Sequence, residues 1–267
     1  RYVNETVAVQ NGYTKTTNEG TAVIGVDTTN LWPTGGPGRP SVRLISDNTY
    51  THGLFILDVL HMPFGCGTWP AYWLLGPNWP YNGEIDIIEG VNTIGWDSVT
   101  LHTSSGCTIS GSDQTGIFQT NDCSGGCGSI LNDSITPNNY GSSFNDNNGG
   151  VYATEWTSNY IKTWFFPRNA IPSSITSGSP DPNGDFGKPG VNSQAPCPFD
   201  QHFNNMSIII NIDFCGAWAG QVYSQYTNCP QNASAPNSLD SCVDFVGLNP
   251  KNFTDAYWEI DSIKVYQ

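Results

Sequence analysis

The segment GEIDIIEG, residues 83–90, places three carboxylates within six positions of an otherwise apolar, β-branched run. Such a run predicts a β-strand, in which successive side chains alternate between two faces. Glu84 and Asp86 then share one face, whereas strict alternation sends Glu89 to the opposite face. One extra residue, a β-bulge at one of the two isoleucines before Glu89, would bring all three acids together, and bulges often occur beside active sites.

Two glutamates in one cleft, with an aspartate between them, are the groups that retaining glycoside hydrolysis requires. One glutamate serves as the nucleophile and the other as the proton donor. The alternative is a solvated strand face, because short acidic patterns arise by chance in a chain with 23 acidic residues. The motif alone leaves both interpretations open, and the flanking sequence decides between them.

The flanking blocks are GPGRPSVR (36–43) and HMPFGCGTWPAYWLL (61–75) upstream, and SVTLHT (98–103) downstream. Together with E-x-D-x-x-E they resemble glycoside hydrolase family 16, and most of all its fungal secreted endo-1,3(4)-β-glucanases of the laminarinase type. The likeness continues through GGVYATEW, IKTWFFPRN, IIINIDFCGAWAG and AYWEIDSIKVYQ, so it covers nearly the whole chain. The resemblance implies an all-β fold: a two-sheet antiparallel β-jelly-roll sandwich (concanavalin A-like) with a concave substrate cleft.

The resemblance also implies one catalytic domain over residues 1–267. Family members of this type usually carry an extra N-terminal segment before the position that matches Tyr2. Here the chain opens at Arg1 without a methionine. We therefore expect a trimmed or processed chain that lacks one strand at a sheet edge.

Composition agrees with an all-β protein that binds a neutral polymer. Charged residues make up only 12% of the chain, and 29 glycines and 18 prolines separate short apolar runs, as turns do between strands. The net charge of −14 argues against nucleic acid and anionic membranes as partners. The longest apolar run, around 206–212, has the length of a strand and not of a membrane span. We expect a monomer that binds β-glucan polysaccharide or oligosaccharide.

Eight cysteines and five N-x-[ST] sequons indicate a chain that passes through a secretory pathway into the extracellular space. We predict four disulfides, with the pairing left open among 105 connectivities. Zinc binding through the C-x3-C pair at 123 and 127 is the alternative, but no histidine or cysteine pair at metal spacing supports it. The cysteines are Cys66, Cys107, Cys123, Cys127, Cys197, Cys215, Cys229 and Cys242, and the predicted glycosylation sites are Asn4, Asn132, Asn205, Asn232 and Asn252.

Apolar alternation and turn residues predict ten strands and one short helix. The helix is expected over 240–248, before Pro250. Two long polar segments, 103–148 and 171–197, carry four of the cysteines, and we predict that they are disulfide-stapled loops at the cleft rim. The predicted strands are 22–26, 41–46, 52–61, 71–75, 84–89, 98–102, 151–156, 160–166, 206–214 and 258–266.

The resemblance assigns roles to the acids and to one histidine. It implies that Glu84 is the nucleophile and Glu89 the general acid/base, with carboxyls about 5–5.5 Å apart. Asp86 would hold the acid in place and help it to keep its proton. His102, on the adjacent strand, would hydrogen-bond this cluster. The other histidines, at 52, 61 and 202, are expected to be structural.

Aromatic residues are the second functional signal, since the apolar faces of sugars stack on aromatic rings. Trp73 resembles the platform beneath the sugar at the cleavage point, and Trp69 shares its strand face. Trp79 and Trp218 resemble contacts at the cleft rim, and Arg43 an arginine that reaches sugar hydroxyls on the non-reducing side. The tryptophans at 32, 164 and 258 are expected to be core residues.

The sequence therefore predicts a retaining endo-β-glucanase that acts on β-1,3 or mixed β-1,3/1,4 linkages. A transglycosylase is the enzymatic alternative, because the same covalent intermediate can pass to a sugar. A non-catalytic, lectin-like glucan-binding module is the other alternative, although it predicts the loss of one carboxylate and all three are present. No cofactor and no metal ligand set is indicated, and a structural calcium site stays open.

Overall fold

The computed structural model describes all residues from Arg1 to Gln267 and contains fifteen strands and five short helices. The strands are β1 (Thr14–Thr16), β2 (Ala22–Ile24), β3 (Arg43–Tyr50), β4 (Gly53–His61), β5 (Thr68–Leu75), β6 (Glu84–Glu89), β7 (Asp97–His102), β8 (Ser110–Gly111), β9 (Ile117–Thr120), β10 (Cys127–Leu131), β11 (Gly150–Trp156), β12 (Tyr160–Pro167), β13 (Val191–Gln194), β14 (Met206–Phe214) and β15 (Trp258–Tyr266). The helices are α1 (Glu5–Gln10), α2 (Gly141–Asp146), α3 (Ser173–Thr176), α4 (Phe199–His202) and α5 (Ser238–Leu248).

Two antiparallel sheets form a sandwich. One has seven strands in the order β3-β14-β5-β6-β7-β10-β9, and the other has eight in the order β1-β2-β15-β4-β11-β12-β13-β8. Alternation along each strand divides its side chains between two environments. In β4, Phe55 and Leu57 enter the main core between the sheets, whereas Leu54 and Ile56 belong to a smaller core on the outer face of the eight-stranded sheet.

All ten predicted strands are present, and β6, β14 and β15 have the predicted bounds. Five short strands were not predicted: β1, β8, β9, β10 and β13. Four of them lie in the two segments that were predicted to be loops. Helix α5 begins two residues before the predicted helix, where the Asn237 side chain accepts a hydrogen bond from the Asp240 backbone N–H and caps its first turn.

The prediction that residues 171–197 form a cleft rim is wrong. Ile171, Ile175 and Phe186 pack on the outer face of the eight-stranded sheet, against Trp164 and Phe166. The segment therefore covers an apolar surface that would otherwise face water. Trp164 and Trp258 are core residues, as predicted, but Trp32 is not. It is only half-buried, and its indole N–H donates to Asp27 at 2.9 Å.

All eight cysteines are paired in four disulfides, so the C-x3-C pair forms a disulfide and not a zinc site. Cys107–Cys197 joins the two long polar segments, and the short Cys123–Cys127 crosslink closes one tight turn. The pairs are Cys66–Cys229, Cys107–Cys197, Cys123–Cys127 and Cys215–Cys242.

None of the helices has the length and apolar character needed to cross a membrane; the longest, α5, has 11 residues.

The predicted bulge is confirmed in β6. Tyr72 of β5 pairs with Ile88 and the next residue, Trp73, pairs with Asp86, so Ile87 has no partner in this ladder. Ile87 and Ile88 are both fully buried in the main core. Because the side chains of Ile87 and Ile88 both point into the core, Glu89 lies on the same face of the sheet as Asp86. This is the face that carries the site.

The disulfides are expected to differ in what they contribute to stability. Removing Cys66–Cys229, which closes a sequence separation of 163 residues, should lower the free energy of unfolding more than removing Cys123–Cys127, which closes a separation of 4. Loop-closure entropy in the unfolded chain predicts a difference of about 3 kcal/mol. Urea unfolding of the two double Cys→Ser variants measures it. Equal losses would show that the long crosslink does not act through the unfolded state.

Candidate active site

One cleft of about 220 Å³ on the outer face of the seven-stranded sheet collects most of the predicted residues. A larger cavity of about 700 Å³ lies between α1, β2 and β3, but it is lined mostly by apolar residues and Glu5 is the only acid in it. Chemistry and not size therefore identifies the site. The smaller cleft is lined by Tyr2, Arg43, Trp69, Ala71, Trp73, Glu84, Asp86, Glu89, Asn211 and Asp213.

Strand register aligns these side chains in rows that cross the sheet. The first row runs Arg43, Asn211, Ala71, Glu89 over β3, β14, β5 and β6. A second row pairs Trp73 with Asp86, and a third pairs Glu84 with His102 of β7. Because directly opposed side chains lie about 5 Å apart, each row presents its groups to one bound molecule.

The acids differ in their surroundings. Asp86 is 2% exposed, and burial, together with the charges of Glu89 and Glu84, raises its pKa well above the usual value. Burial also raises the pKa of Glu89 to about 7, and the charge of Glu84 adds to that effect. No lysine or arginine forms an ion pair with Glu84 or Glu89. The cluster therefore holds protons near neutral pH, and Glu89 has the pKa that a general acid requires.

Trp69 acts on Glu89 directly. Its indole N–H donates to Glu89 Oε1 at 2.8 Å, and this hydrogen bond lowers the pKa of Glu89 against the effect of burial. The predicted rim residue Trp218 lies beside it, edge-to-face with the Trp69 ring at 5.9 Å between centroids. Trp218 reaches this position from a single π-helical turn, residues Gly216–Gly220, directly after β14. Trp69 thus orients the acid, and Trp218 fixes Trp69.

His102 lies where the sequence predicted it, next to the acids. Its Nε2 is 3.4 Å from Asp86 Oδ2. Behind the ring packs Gly126, where a Cβ would stand 2.8 Å from His102 Cε1, and the φ of +92° at Gly126 also favours glycine. The ligand atoms of Glu84, Asp86 and His102 all lie within 4.8 Å of one another. They could surround a small cation, but a proton held between the carboxylates satisfies the same geometry.

Trp73 and Arg43 form the opposite wall. The Trp73 indole N–H donates to Asn211 Oδ1 at 2.6 Å, and the Arg43 guanidinium lies 4.8 Å from the centre of the ring. The ring is therefore held from two sides, as a rigid sugar platform needs to be. Burial and the negative charge of Asp213 raise the pKa of Tyr2, so that its hydroxyl stays neutral in the cleft.

Sequence reasoning missed Tyr2, Asn211 and Asp213. Asn211 and Asp213 lie two positions apart in the segment INIDF of β14, so both side chains are on one face of a predicted strand. This polar alternation was the signal that could have identified them. Nothing in the sequence marked Tyr2. It reaches the cleft because residues 1–3 pair with Ser41, through hydrogen bonds from Val3 N–H to Ser41 O and from Ser41 N–H to Arg1 O.

The remaining predicted residues lie outside the cleft lining. Trp79 is 56% exposed in the loop between β5 and β6, next to the strand of the acids, and its rim role stays a prediction. The histidines at 52, 61 and 202 bond elsewhere, to Asp200, Tyr257 O and Ser104 respectively. Of the five sequon asparagines, Asn132 is half-buried and Asn4, Asn205, Asn232 and Asn252 are exposed.

Comparison with known proteins gives a consistent result. Residues 1–266 match the family model described as XgeA-like catalytic domains of glycoside hydrolase family 16. A probable endo-1,3(4)-β-glucanase of Aspergillus clavatus is 47% identical over the whole chain, and the endo-1,3(4)-β-glucanase xgeA of Emericella nidulans is 43% identical. The match covers 42% of each of these two proteins, so the chain spans about two fifths of the length of such relatives.

Two solved structures are similar over the entire chain and over 90% of their own. One is an elongating family 16 β-1,3-glucosyltransferase, with 45% identity and a TM-score of 0.94. The other is laminarinase 16A of Phanerochaete chrysosporium with β-glucans in its donor and acceptor sites, with 41% identity and a TM-score of 0.89. The similarity confirms the predicted jelly-roll fold.

The hydrogen bond from Trp69 leads to a prediction about the pKa of Glu89. Trp69→Phe keeps an aromatic ring and removes the donor that favours the ionised form, so the pKa of Glu89 should rise above about 7. Carboxyl ¹³C NMR titration measures it, with the Glu89 signal assigned by its loss in Glu89→Gln. Trp79→Phe, which removes an indole N–H outside the cleft lining, is the matched control. An unchanged pKa in Trp69→Phe would refute the effect.

The raised pKa of Glu89 also makes stability depend on pH. A folded pKa of about 7 against an unfolded value of about 4.3 means that the native state binds more protons between these values. Stability is therefore lost as pH rises through this window. Glu89→Gln removes this pH dependence. The free energy of unfolding of the variant, relative to that of the parent, should therefore be about 1–3 kcal/mol higher at pH 8 than at pH 4. Urea unfolding at both pH values tests this, with the exposed Glu19→Gln as control. A constant difference between parent and variant would contradict it.

Proposed function

The chain belongs to glycoside hydrolase family 16, and on that premise we propose that it is a retaining endo-β-glucanase. It hydrolyses β-1,3 and mixed-linkage β-1,3/1,4-glucans by double displacement. The observation that carries the proposal is the bulged strand β6, which brings Glu84, Asp86 and Glu89 into one cleft. Residues on a single strand can stand close enough for a covalent intermediate, whereas an inverting enzyme needs about 6.5–9.5 Å between carboxyls to seat a water.

In the first step, a Glu84 carboxylate oxygen attacks the anomeric carbon and forms a glycosyl ester, while the bond to the leaving oxygen breaks. The Glu89 proton moves to that oxygen, and a pKa of about 7 keeps Glu89 protonated in mildly acidic solution. In the second step, the ionised Glu89 takes a proton from water, which attacks the same carbon and releases Glu84. Asp86, protonated by its burial, can donate a hydrogen bond to Glu84 and so adds no charge to the pair.

Substrate binding relies on aromatic and neutral polar groups. The Trp73 ring stacks on the sugar at the cleavage point, and Arg43 and Asn211 lie in the row that leads away from Glu89. We assign this side to the non-reducing part of the glucan, and His102 and β10 to the reducing part. A neutral polymer suits a chain of net charge −14, which would repel an anionic one.

Transglycosylation is the second candidate activity, because a similar structure is described as an elongating β-1,3-glucosyltransferase. It uses the same glycosyl-Glu84 ester and differs only in the acceptor. A sugar in the reducing-side part of the cleft then replaces water. Product chains longer than the substrate would identify it.

We propose further that residues 1–267 act as one catalytic domain, as a monomer outside the cell and without a cofactor. Four disulfides fit an oxidising compartment. The exposed sequon asparagines would carry glycans there.

Retention is the property that tests the mechanism. Proton NMR of the first product from a β-glucan should show the β-anomer, since two inversions at one carbon restore its configuration. Glu84→Ser should abolish hydrolysis and leave glucan binding, because the aromatic wall is intact. Glu89→Ala should impair glucan hydrolysis far more than hydrolysis of an aryl glycoside, whose leaving group needs little protonation, and azide should rescue the latter as a β-glycosyl azide.

An initial α-anomer would mean inversion and would refute double displacement. Asp58→Asn, on the other sheet and outside the cleft, is the control for changes that affect stability alone. If no β-1,3 or mixed-linkage glucan is cleaved or elongated by the parent protein, the proposed function is wrong.

A further inference from the structure

A fourth carboxyl group lies behind the catalytic strand. Asp97, the first residue of β7, is fully buried, and its Oδ1 accepts a hydrogen bond of 2.8 Å from the backbone N–H of Glu89. Glu89 ends the bulged strand, so this bond fixes the peptide from which its side chain enters the cleft. The adjacent Gly90 packs against the Tyr140 ring, where a Cβ would lie 2.6 Å from Cζ.

Asp97 is in turn tied to the opposite sheet. Its backbone N–H donates to Asn139 Oδ1 at 2.9 Å, and the backbone O of Asn139 accepts the Tyr152 hydroxyl at 2.6 Å. Tyr152 belongs to β11, in the centre of the eight-stranded sheet, and Asn139 and Tyr152 are both fully buried. A continuous polar chain thus crosses the apolar core and ends on the peptide of Glu89.

We propose that Asp97 is a positioning residue for the proton donor. As a neutral carboxylic acid it holds the backbone of Glu89 in place, without adding a charge behind the acid. This role rests on the function proposed above, since it places the group that would protonate the leaving oxygen.

The surroundings of Asp97 favour the neutral form. The titratable groups near it are Glu89 and Asp86 from β6, Tyr152 from β11 and Tyr140 from the segment before α2, and none of them is basic. Burial raises the pKa of Asp97 well above its usual range, against the hydrogen bond from the Glu89 N–H, which lowers it, and the charge of Glu89 adds to the rise. Its Oδ2 receives no hydrogen bond from a donor. The Tyr152 hydroxyl donates its proton to Asn139 O at 2.6 Å and not to this oxygen.

The protonation state has a measurable consequence at Glu89. An ionised Asp97 would disfavour ionisation of Glu89, so its replacement by asparagine would lower the pKa of Glu89. A neutral Asp97 can be replaced by asparagine, which keeps the accepting oxygen, without such a shift. The other titratable groups near Glu89 are Glu84, Asp86 and Tyr140, and these stay unchanged in the variant.

The variants Asp97→Asn and Asp97→Ala distinguish the effect of Asp97 on the position of Glu89 from the effect of a charge on Asp97. In Asp97→Asn, the Glu89 titration followed by carboxyl ¹³C NMR and the kcat/KM on β-1,3-glucan should both equal those of the parent. In Asp97→Ala, the N–H of Glu89 loses its acceptor, and kcat/KM on glucan should fall about 100-fold, the order of loss for a misplacement of about 1 Å. Hydrolysis of an aryl glycoside, which needs little protonation by Glu89, should fall far less.

Two results would overturn the proposal. A lower Glu89 pKa in Asp97→Asn would show that Asp97 is charged. Equal losses on glucan and aryl glycoside in Asp97→Ala would show a merely structural role, the pattern expected of Asp58→Asn, which removes a half-buried acid paired with Arg168 elsewhere. If Asp97→Ala does not fold, Tyr152→Phe, which removes the link to the opposite sheet, should show the same glucan-selective loss to a smaller degree, and equal losses there overturn the proposal too.

The test does not depend on the success of the proposed function. If the parent protein turns over no β-glucan, the function fails, while the NMR titration of Glu89 still decides whether Asp97 is neutral. If the parent is active and the titration shifts, only the inference about Asp97 fails.

Discussion

The alternation of side chains along a β-strand is the constraint on which this site depends. Glu84 and Glu89 are five positions apart, and a regular strand would place them on opposite faces. The unpaired residue Ile87 removes that conflict and sends two successive isoleucines into the core. Without it, the Glu89 carboxyl would point into apolar packing, at a cost that a carboxyl avoids only by staying neutral. The fold and the chemistry thus depend on the same irregularity.

The electrostatic character of the site follows from what surrounds these acids. Glu84, Asp86, Glu89 and Asp97 lie close together, and none forms an ion pair with a lysine or arginine. The group that stabilises a negative charge on Glu89 is an N–H dipole, that of the Trp69 indole. Because such dipoles do not titrate near neutral pH, the proton affinity of Glu89 is set by burial and fixed geometry. Rigid packing of Trp69 against Trp218 is therefore part of the acid's chemistry.

The sequence predicted those parts of the molecule whose structure is determined by patterns of neighbouring residues. Alternation and β-branched residues gave β6, β14 and β15 with correct bounds, and the motif itself required the bulge. The short strands β8, β10 and β13 were missed because Ser, Gly or Asn interrupt them, and β9 because it is only four residues long and fully exposed; each forms through its pairing with a neighbouring strand. Tyr2 could not be found from the sequence because its partner Ser41 is distant in the chain. Asp97 lies only 8 positions from Glu89, but its contacts with Glu89 and with Asn139, 42 positions away, exist only in the folded sheet. The prediction that residues 171–197 form a cleft rim failed for a related reason. The apolar outer face of the eight-stranded sheet, which this segment covers, exists only once the strands of that sheet are assembled.

The strand order also determines when the site exists. In the seven-stranded sheet, β14 inserts between β3 and β5, and in the other sheet β15 inserts between β2 and β4. A chain emerging from the ribosome therefore carries Glu84 and Glu89 long before it contains the strand that supports Trp73 through Asn211. Pairings of such long sequence separation form late, because the entropy lost in closing the loop must be overcome before the contacts between the strands stabilise the pairing. The cleft is therefore incomplete until β14 has been synthesised, and a product that stops before β14 carries the acids and Trp73 without the strand that holds the Trp73 ring.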